Sequence, residues 1–453
     1  MSTERLAKFI VETSYKALPG EGIKTAKEAI VDCLGCALVG YADKGSKILI
    51  EYARERGGNP EAGIIGGGFK APASEAAWVN GTLAHALDYD DVAPITAGHP
   101  SVALLPAALA LVEKHHLSGK EVLLAYIIGY EVMAAIGKAC ALRHYLLGWH
   151  CTSTFGSLGA AAVGAKLLKL NLEETRMTLG IAASLTGGLK QNFGTMTKPL
   201  HAGNAARNGV VAADMAQRGF TAVQDIMETP MGFCKVFGGG EELDIAGATQ
   251  DLGESFQISS TLEIKPYPSC RGTHPSIDAA LGLRKKNRFE IDDIAEVECH
   301  GSAWIPQSAC IYSHPKTGLE GKFSVEYCVL RALMENGVSM KHFTDEKVME
   351  HTIQELIPKV KYIPDPEAML FTPFEVVVKL KNGRVLSHKV TSLTGDPSNP
   401  VSQDDLHAKY RDCAAAVLSP QEIERSLEMA SNLEKLKDIT PLMNIITKIE
   451  AGR

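Results

Sequence analysis

From residue 1 to about 258, apolar side chains recur at three- and four-residue spacing in one long segment after another, and several of those segments are rich in Ala and Gly. That period belongs to amphipathic helices, and small residues let helix axes approach closely. "TAKEAIVDCLGCALVGYADKG", "SEAAWVNGTLAHALDYDD", "SGKEVLLAYIIGYEVMAAIGKACALRHYL", "STFGSLGAAAVGAKLLK" and "LHAGNAARNGVVAADMAQRGF" all read this way. The character changes after "FQISSTLEIKPYPSC". "IAEVECHGSA" (294–303) alternates like a half-buried strand, and "PFEVVVKLKNGRVLSHKVTSL" (373–393) places two strand-like runs around Asn382-Gly383, a hairpin signal. Helical stretches lie between, near 275–286 and 322–336, and "SPQEIERSLEMASNLEKL" is helical again.

The expected fold class is therefore mostly α. A large all-helical domain draws on both chain ends (1–258 and 397–453), with a smaller α+β domain over 259–396. At 453 residues the chain is too long for one ordinary core, so two or three domains are expected from length alone.

Composition narrows the function. Hydrophobic residues make up 45% and charged residues 22%, an ordinary globular balance, and the net charge of −7 carries no polyanion-binding signal. Nucleic acid is not an expected partner. The most apolar run, "VALLPAALALV" (102–112), is too short for a bilayer and contains a proline, so no membrane is expected either. Ten scattered cysteines without a framework of close spacings, and a charged start lacking a signal-peptide core, lead to the expectation of a cytoplasmic protein with reduced thiols.

Two tempting motifs fail on context. "GIIGGG" (63–68) opens no βαβ unit, so it reads as a turn. Cys33 and Cys36 form "CLGC" inside an amphipathic helix and read as small core residues, since a zinc site needs a second pair.

Other stretches carry chemistry. "HALDYDDVAPITAGHPS" (85–101) crowds His85, Asp88, Asp90, Asp91 and His99 at the end of a helix. A divalent-metal site, a helix cap with solvated acids, and an oriented Asp88–His99 acid–base pair are all open. The pair ranks above the metal, because no HxH or HxxxE spacing adds ligands. "RHYLLGWHCTSTFGSLGAAA" (143–162) sets Tyr145 and His150 before a helix with Thr152, Ser153 and Thr154 as cap candidates, leaving an N-terminus able to meet an anion. In "KPLHAGNAARNG" (198–209) Pro199 suits a first helical turn, and His201, Asn204 and Arg207 follow at spacings of three. Lys198 then stands at the positive end of the helix dipole, where its charged form should be disfavoured. Lys198, His201 and Asn204 beside small residues suit a bound carboxylate; a close-packed helix with incidental polar tips is the plainer alternative. "KPYPSCRGTHPS" (265–276) offers Arg271 as a carboxylate binder and His274, and "GKFSVEY" (321–327) offers Tyr327. These gain meaning if the α+β region acts as a lid.

Together, "HALDYDDVAPITAGHPS", "GWHCTSTFG", "NFGTMTKPLHAGNAARNG", "KPYPSCRGTH" and "GKFSVEY" resemble the MmgE/PrpD family, in the family's order. The resemblance implies a helical domain built from both chain ends, an α+β lid and a homodimer. It implies action on small di- and tricarboxylic acids without metal or organic cofactor, by enzymes such as 2-methylcitrate dehydratase, cis-aconitate decarboxylase and iminodisuccinate epimerase. By the same resemblance the active-site Asp, His, His, Lys, His and Tyr of the decarboxylase fall on Asp88, His99, His150, Lys198, His274 and Tyr327. The epimerase adds Tyr145 as partner of Lys198 in a two-base scheme.

The shared chemistry is proton transfer at a carbon next to a carboxylate, which needs a placed acid or base and stabilisation of enediolate-like charge. Asp88 is expected to orient His99 and fix its tautomer. A lyase is the leading expectation, with an epimerase as alternative. A metal-dependent hydrolase centred on Asp88, Asp90, Asp91 and His99 stays open, as does a binding protein without turnover.

Overall fold

The computed structural model describes residues 1–335 and 337–448. The chain divides into two compact units, Met1–Ile264 with Ser402–Arg453, and Lys265–Val401. The first unit continues past the change of composition near residue 258 because Val92 and Glu263 exchange backbone hydrogen bonds of 2.9 and 2.8 Å, tying the segment to the helical core.

Counting helices of eight residues or more, the first unit contains α1 (Ser2–Glu12), α2 (Gly20–Gly40), α3 (Lys44–Arg56), α4 (Ala73–His85) and α5 (Ser101–Lys114). It continues with α6 (Gly119–Leu146), α7 (Cys151–Leu167), α8 (Leu172–Leu185) and α9 (Thr197–Gln217). Capping boxes start two of them: Ser118 with Glu121 opens α6, and Asn171 with Glu174 opens α8. "GIIGGG" lies in a turn beside a two-residue ribbon pairing Ala62 with Ala71 and Gly63 with Lys70.

The small residues of "KPLHAGNAARNG" answer to packing. A side-chain carbon at Gly203 would stand 2.0 Å from the Trp78 carbonyl oxygen of α4, and one at Gly209 would stand 2.3 Å from the Ala160 carbonyl carbon of α7. Helix α9 therefore lies backbone-close against both neighbours, and the close-packing alternative accounts for its glycines. The longest apolar helix is α6. By length and composition α6 alone, among the described residues, could cross a membrane, but most of its apolar window is buried inside the unit. Cys33 and Cys36 are buried core residues of α2.

In the second unit α10 (His274–Lys286) and α11 (Val325–Met334) pack with a four-stranded sheet. Its strands are β3 (Ile294–Gly301), β4 (Val360–Pro364), β5 (Phe374–Leu380) and β6 (Val385–Val390), in the order β4-β3-β5-β6, with the ribbon counted as β1 and β2. The β5–β6 hairpin turns through Gly383 at φ 85°. Phe374, Val376, Val378 and Leu380 alternate inward from β5 and meet Ile277, Leu283, Val297 and Leu330 in one core. Strand β4 pairs parallel to β3 and ends at Pro364, as an edge strand can. It was not legible beforehand, since "KVKYIP" shows no clean alternation.

Helices α12 (Gln403–Ala414), α13 (Pro420–Ser431) and α14 (Thr440–Thr447) belong to the first unit, where α12 and α13 pack on α2.

Candidate functional site

The first unit gathers six of the expected site residues around the end of α4 and the starts of α7 and α9. Helix α4 ends at His85, and Asp88 takes a left-handed conformation (φ 53°) that turns the chain back on itself. Asp tolerates that region better than most residues, because its short polar side chain bonds locally. The turn carries Asp88, Asp90 and Asp91 beneath the site.

Lys198, in the first turn of α9, places Nζ 3.0 Å from Asp88 Oδ1, both side chains being 5% exposed. Its position at the dipole's positive end is as expected. What the dipole argument omitted is the carboxylate counter-ion supplied by the turn after α4.

His99 departs from expectation in its partner. Its Nδ1 lies 2.8 Å from the Asp91 carbonyl oxygen and 3.0 Å from Asp90 Oδ2, whereas its Nε2 is 3.7 Å from Asp88 Oδ1, too long for a hydrogen bond. Asp88 therefore does not fix the His99 tautomer. A carbonyl can only accept, so Nδ1 carries a proton.

His85 Nδ1 reaches the other Asp90 oxygen at 2.9 Å, and its ring centroid is 4.5 Å from that of His99 and 6.0 Å from that of His150. His150 and His201 meet Nδ1 to Nδ1 at 3.1 Å, one donating and one accepting. Asn204 hydrogen-bonds none of these groups, and Arg207 turns away to Glu75 (3.0 Å) and the Trp78 ring.

The hydroxyls of α7 do not cap it. His150 is the N-cap residue, with no side-chain capping bond. Thr152 Oγ1 accepts the His99 backbone N–H (3.1 Å), Ser153 donates to the His201 carbonyl (3.2 Å), and Thr154 pairs with His144 (2.7 Å). They hold the histidine-bearing segments in register.

Phe193 stands among the reactive groups: its ring is 5.0 Å from His150, 5.2 Å from Lys198 Nζ and 6.5 Å from Tyr145. Tyr145, 6% exposed, lies under the Lys190 ammonium, 3.5 Å from its ring. Burial pulls Lys190 down to about 8. Neither Phe193 nor Lys190 was singled out by sequence, since "GGLKQNFG" shows no pairing or spacing that marks them.

Burial sets the protonation of the imidazoles. It pushes His85 down to about 4 against the pull of Asp90. His201 is also lowered to about 4 by burial, assisted by the charges of His85 and Lys198. His150 is held well below the ordinary range by burial first and Lys198 second. Burial works to raise Asp90, but His85 and His99 outweigh it and keep that carboxyl well below the usual range. Burial pushes Asp91 well up, against its hydrogen bonds from Ser101.

His85, Asp88, Asp90 and His99 bring ligand-type atoms within 4.8 Å of one another. Within the group the Lys198 ammonium holds Asp88 and both imidazole Nδ1 atoms lie near Asp90, while His85 Nε2 and Asp90 Oδ2 make no hydrogen bond.

The second unit holds the remaining expected residues in bonds of its own. Arg271 donates to Asp396 Oδ1 (2.6 Å), to the Thr394 carbonyl (2.9 Å) and to His274 Nδ1 (3.1 Å). Its guanidinium thus already engages a carboxylate, where a substrate acid was expected. Because arginine cannot accept, His274 Nδ1 is the acceptor, and its Nε2–H faces the Ser269 carbonyl at 3.2 Å. Tyr327 is fully buried in the core; its hydroxyl donates to the His342 carbonyl and accepts from Arg331 Nε at 3.0 Å. That geometry is the one a structural tyrosine has.

A buried lysine–carboxylate pair beside the neutral rings of His85, His150 and His201 is an arrangement of the acid–base class. Sequence comparison agrees with that class: residues 4–246 match the MmgE/PrpD N-terminal domain and residues 267–435 the MmgE/PrpD C-terminal domain. The chain belongs to the MmgE/PrpD family. It is 28% identical over 461 residues to cis-aconitate decarboxylase of Mus musculus, covering 98% of this chain and 93% of that one. The figures are 29% over 463 residues for the Homo sapiens enzyme (98% and 94%) and 27% over 463 residues for that of Aspergillus terreus (95% and 92%).

Proposed function

We propose that this protein is a lyase that acts on a small di- or tricarboxylic acid of the cis-aconitate kind, using proton transfer at carbon next to a carboxylate. The observation that carries the reading is the buried Lys198–Asp88 pair, with His99 and the neutral His150 in the same cluster. The relatives' name, cis-aconitate decarboxylase, supports the substrate class.

In a decarboxylation the bond from carbon to one carboxylate breaks and carbon dioxide leaves. The electron pair is delocalised into a remaining carboxylate, and a proton from the enzyme ends on carbon. Lys198 is the cation placed to hold the carboxylate that receives the charge. His99, with Asp90 behind its Nδ1, takes a proton from solvent on Nε2 and delivers it to the carbon, returning to the neutral ring, while His150 stands beside it as a neutral ring.

A second reading, epimerisation, draws on the placement of Tyr145 and Lys198 beside the same ring, Phe193, as a two-base scheme requires. Incubation with cis-aconitate, citrate, 2-methylcitrate and amino-dicarboxylates in D2O, followed by proton NMR, separates the two. Olefinic signals that appear or vanish support the lyase. Deuterium at an α-carbon with the skeleton intact supports the epimerase, and no change in any acid would sink both.

A further inference from the structure

We propose that Asp90 is the positioning carboxylate of this site, serving His85 and His99 at once and keeping His99 with Nε2 as its proton acceptor. The inference rests on the reading that His99 takes part in proton transfer. Asp90 is fully buried at the turn after α4. Its Oδ1 receives His85 Nδ1 at 2.9 Å, and its Oδ2 lies 3.0 Å from His99 Nδ1. The neighbouring Asp91 carbonyl takes the His99 Nδ1–H at 2.8 Å, and Ser101 N–H holds Asp91 Oδ1 at 3.2 Å, so the peptide that presents the carbonyl is anchored from both sides.

The division of labour between the acids follows. Asp88 is taken up by Lys198 and stands on the Nε2 side of His99; Asp90 stands on the Nδ1 side. When Nε2 accepts a proton, the imidazolium finds a fixed carboxylate at its back, the arrangement that orients a general base and stabilises its charged form elsewhere. The same carboxylate holds the proton of His85 on Nδ1 and so sets how that ring lies against His99. Asp90 touches no reacting atom in this scheme; it acts through the two rings.

Asp90→Asn discriminates well, because the amide keeps one acceptor for His85 Nδ1 but turns a neutral donor, where the carboxylate had a charged oxygen, toward His99 Nδ1. Protein labelled with 15N-histidine is observed by NMR at pH about 8, where ordinary imidazoles are neutral; His85→Gln and His99→Gln variants assign the two rings. In the wild type both rings are expected to carry the proton on Nδ1. In Asp90→Asn at least one of them is expected to move it to Nε2. With whichever acid the protein turns over, kcat should fall by about 100-fold or more, with KM changed by less than about threefold. A wild-type His99 protonated on Nε2 alone overturns the proposal, and this does not depend on the Asp90→Asn protein folding. So does an Asp90→Asn protein whose ring signals stay in place. A ring that switches tautomer in a protein that transforms none of the acids supports the assignment of Asp90 and refutes the function instead.

Discussion

Lys198 Nζ and Asp88 Oδ1 are 3.0 Å apart, each on a side chain 5% exposed, and they join the first turn of α9 to the turn after α4. A buried pair of this kind is weak evidence of stabilisation, because two desolvation costs oppose one attraction, but removing a single partner leaves an uncompensated charge. Lys198→Ala should therefore lose stability of about 3–5 kcal/mol and nearly all turnover. Lys198→Met with Asp88→Asn should recover much of the stability and none of the turnover. Urea denaturation alongside the NMR assay reads both. A double variant that regains activity would remove Lys198 from the chemistry.

Neutral buried histidines make a pH signature. His85 falls to about 4 in the folded state against an ordinary 6.5. Between those values the unfolded chain binds the proton and the native chain does not, so this group's contribution is complete above pH 6.5 and is lost as pH falls toward 4. Replacing it, as in His85→Gln, should flatten the fall in stability between pH 7 and pH 4.5 by about 2–3 kcal/mol. Equal slopes for wild type and variant in urea titrations would show that His85 is not held neutral.

Much of this was legible in the chain, and the parts that were not share a cause. Helical period, the Asn-Gly hairpin and the cluster from His85 to His99 are local patterns, and local patterns determine helices, turns and which residues share a loop. The choice of partner is not local. Asp88 was paired with His99 on proximity in sequence, yet the close packing of α4 on α9 brings Lys198 to it, 110 residues away. Thr152, Ser153 and Thr154 looked like caps because hydroxyls precede a helix; in the fold they lie inside it, and their hydrogen bonds go to segments carrying His99, His201 and His144. Lys190 gains its role from a tyrosine 45 residues earlier.

Gly203 tests the link from packing to site. Its missing side chain allows the Trp78 carbonyl to approach, and an alanine carbon there would stand 2.0 Å from that oxygen. Gly203→Ala should destabilise by more than about 1–3 kcal/mol, and any protein that still folds should have α9 displaced from α4, stretching the Lys198–Asp88 contact. Thermal denaturation and turnover should fall together. An unchanged melting temperature would mean the helices separate without cost.

Tyr327 separates a structural from a catalytic role for a motif residue. Its hydroxyl donates to the His342 carbonyl and accepts from Arg331, within a core where burial pushes the phenol up to about 12. Phenylalanine keeps the ring and removes both bonds, leaving a buried carbonyl and a guanidinium N–H short of a partner. The expected cost is about 1–3 kcal/mol, seen as a lower urea midpoint with an unchanged slope. Because the ring and its packing remain, turnover at a temperature where Tyr327→Phe is fully folded should stay within about threefold of wild type, a bound set by the absence of any lost transition-state contact. A variant as stable as wild type with turnover down 100-fold or more would instead place the hydroxyl on the substrate.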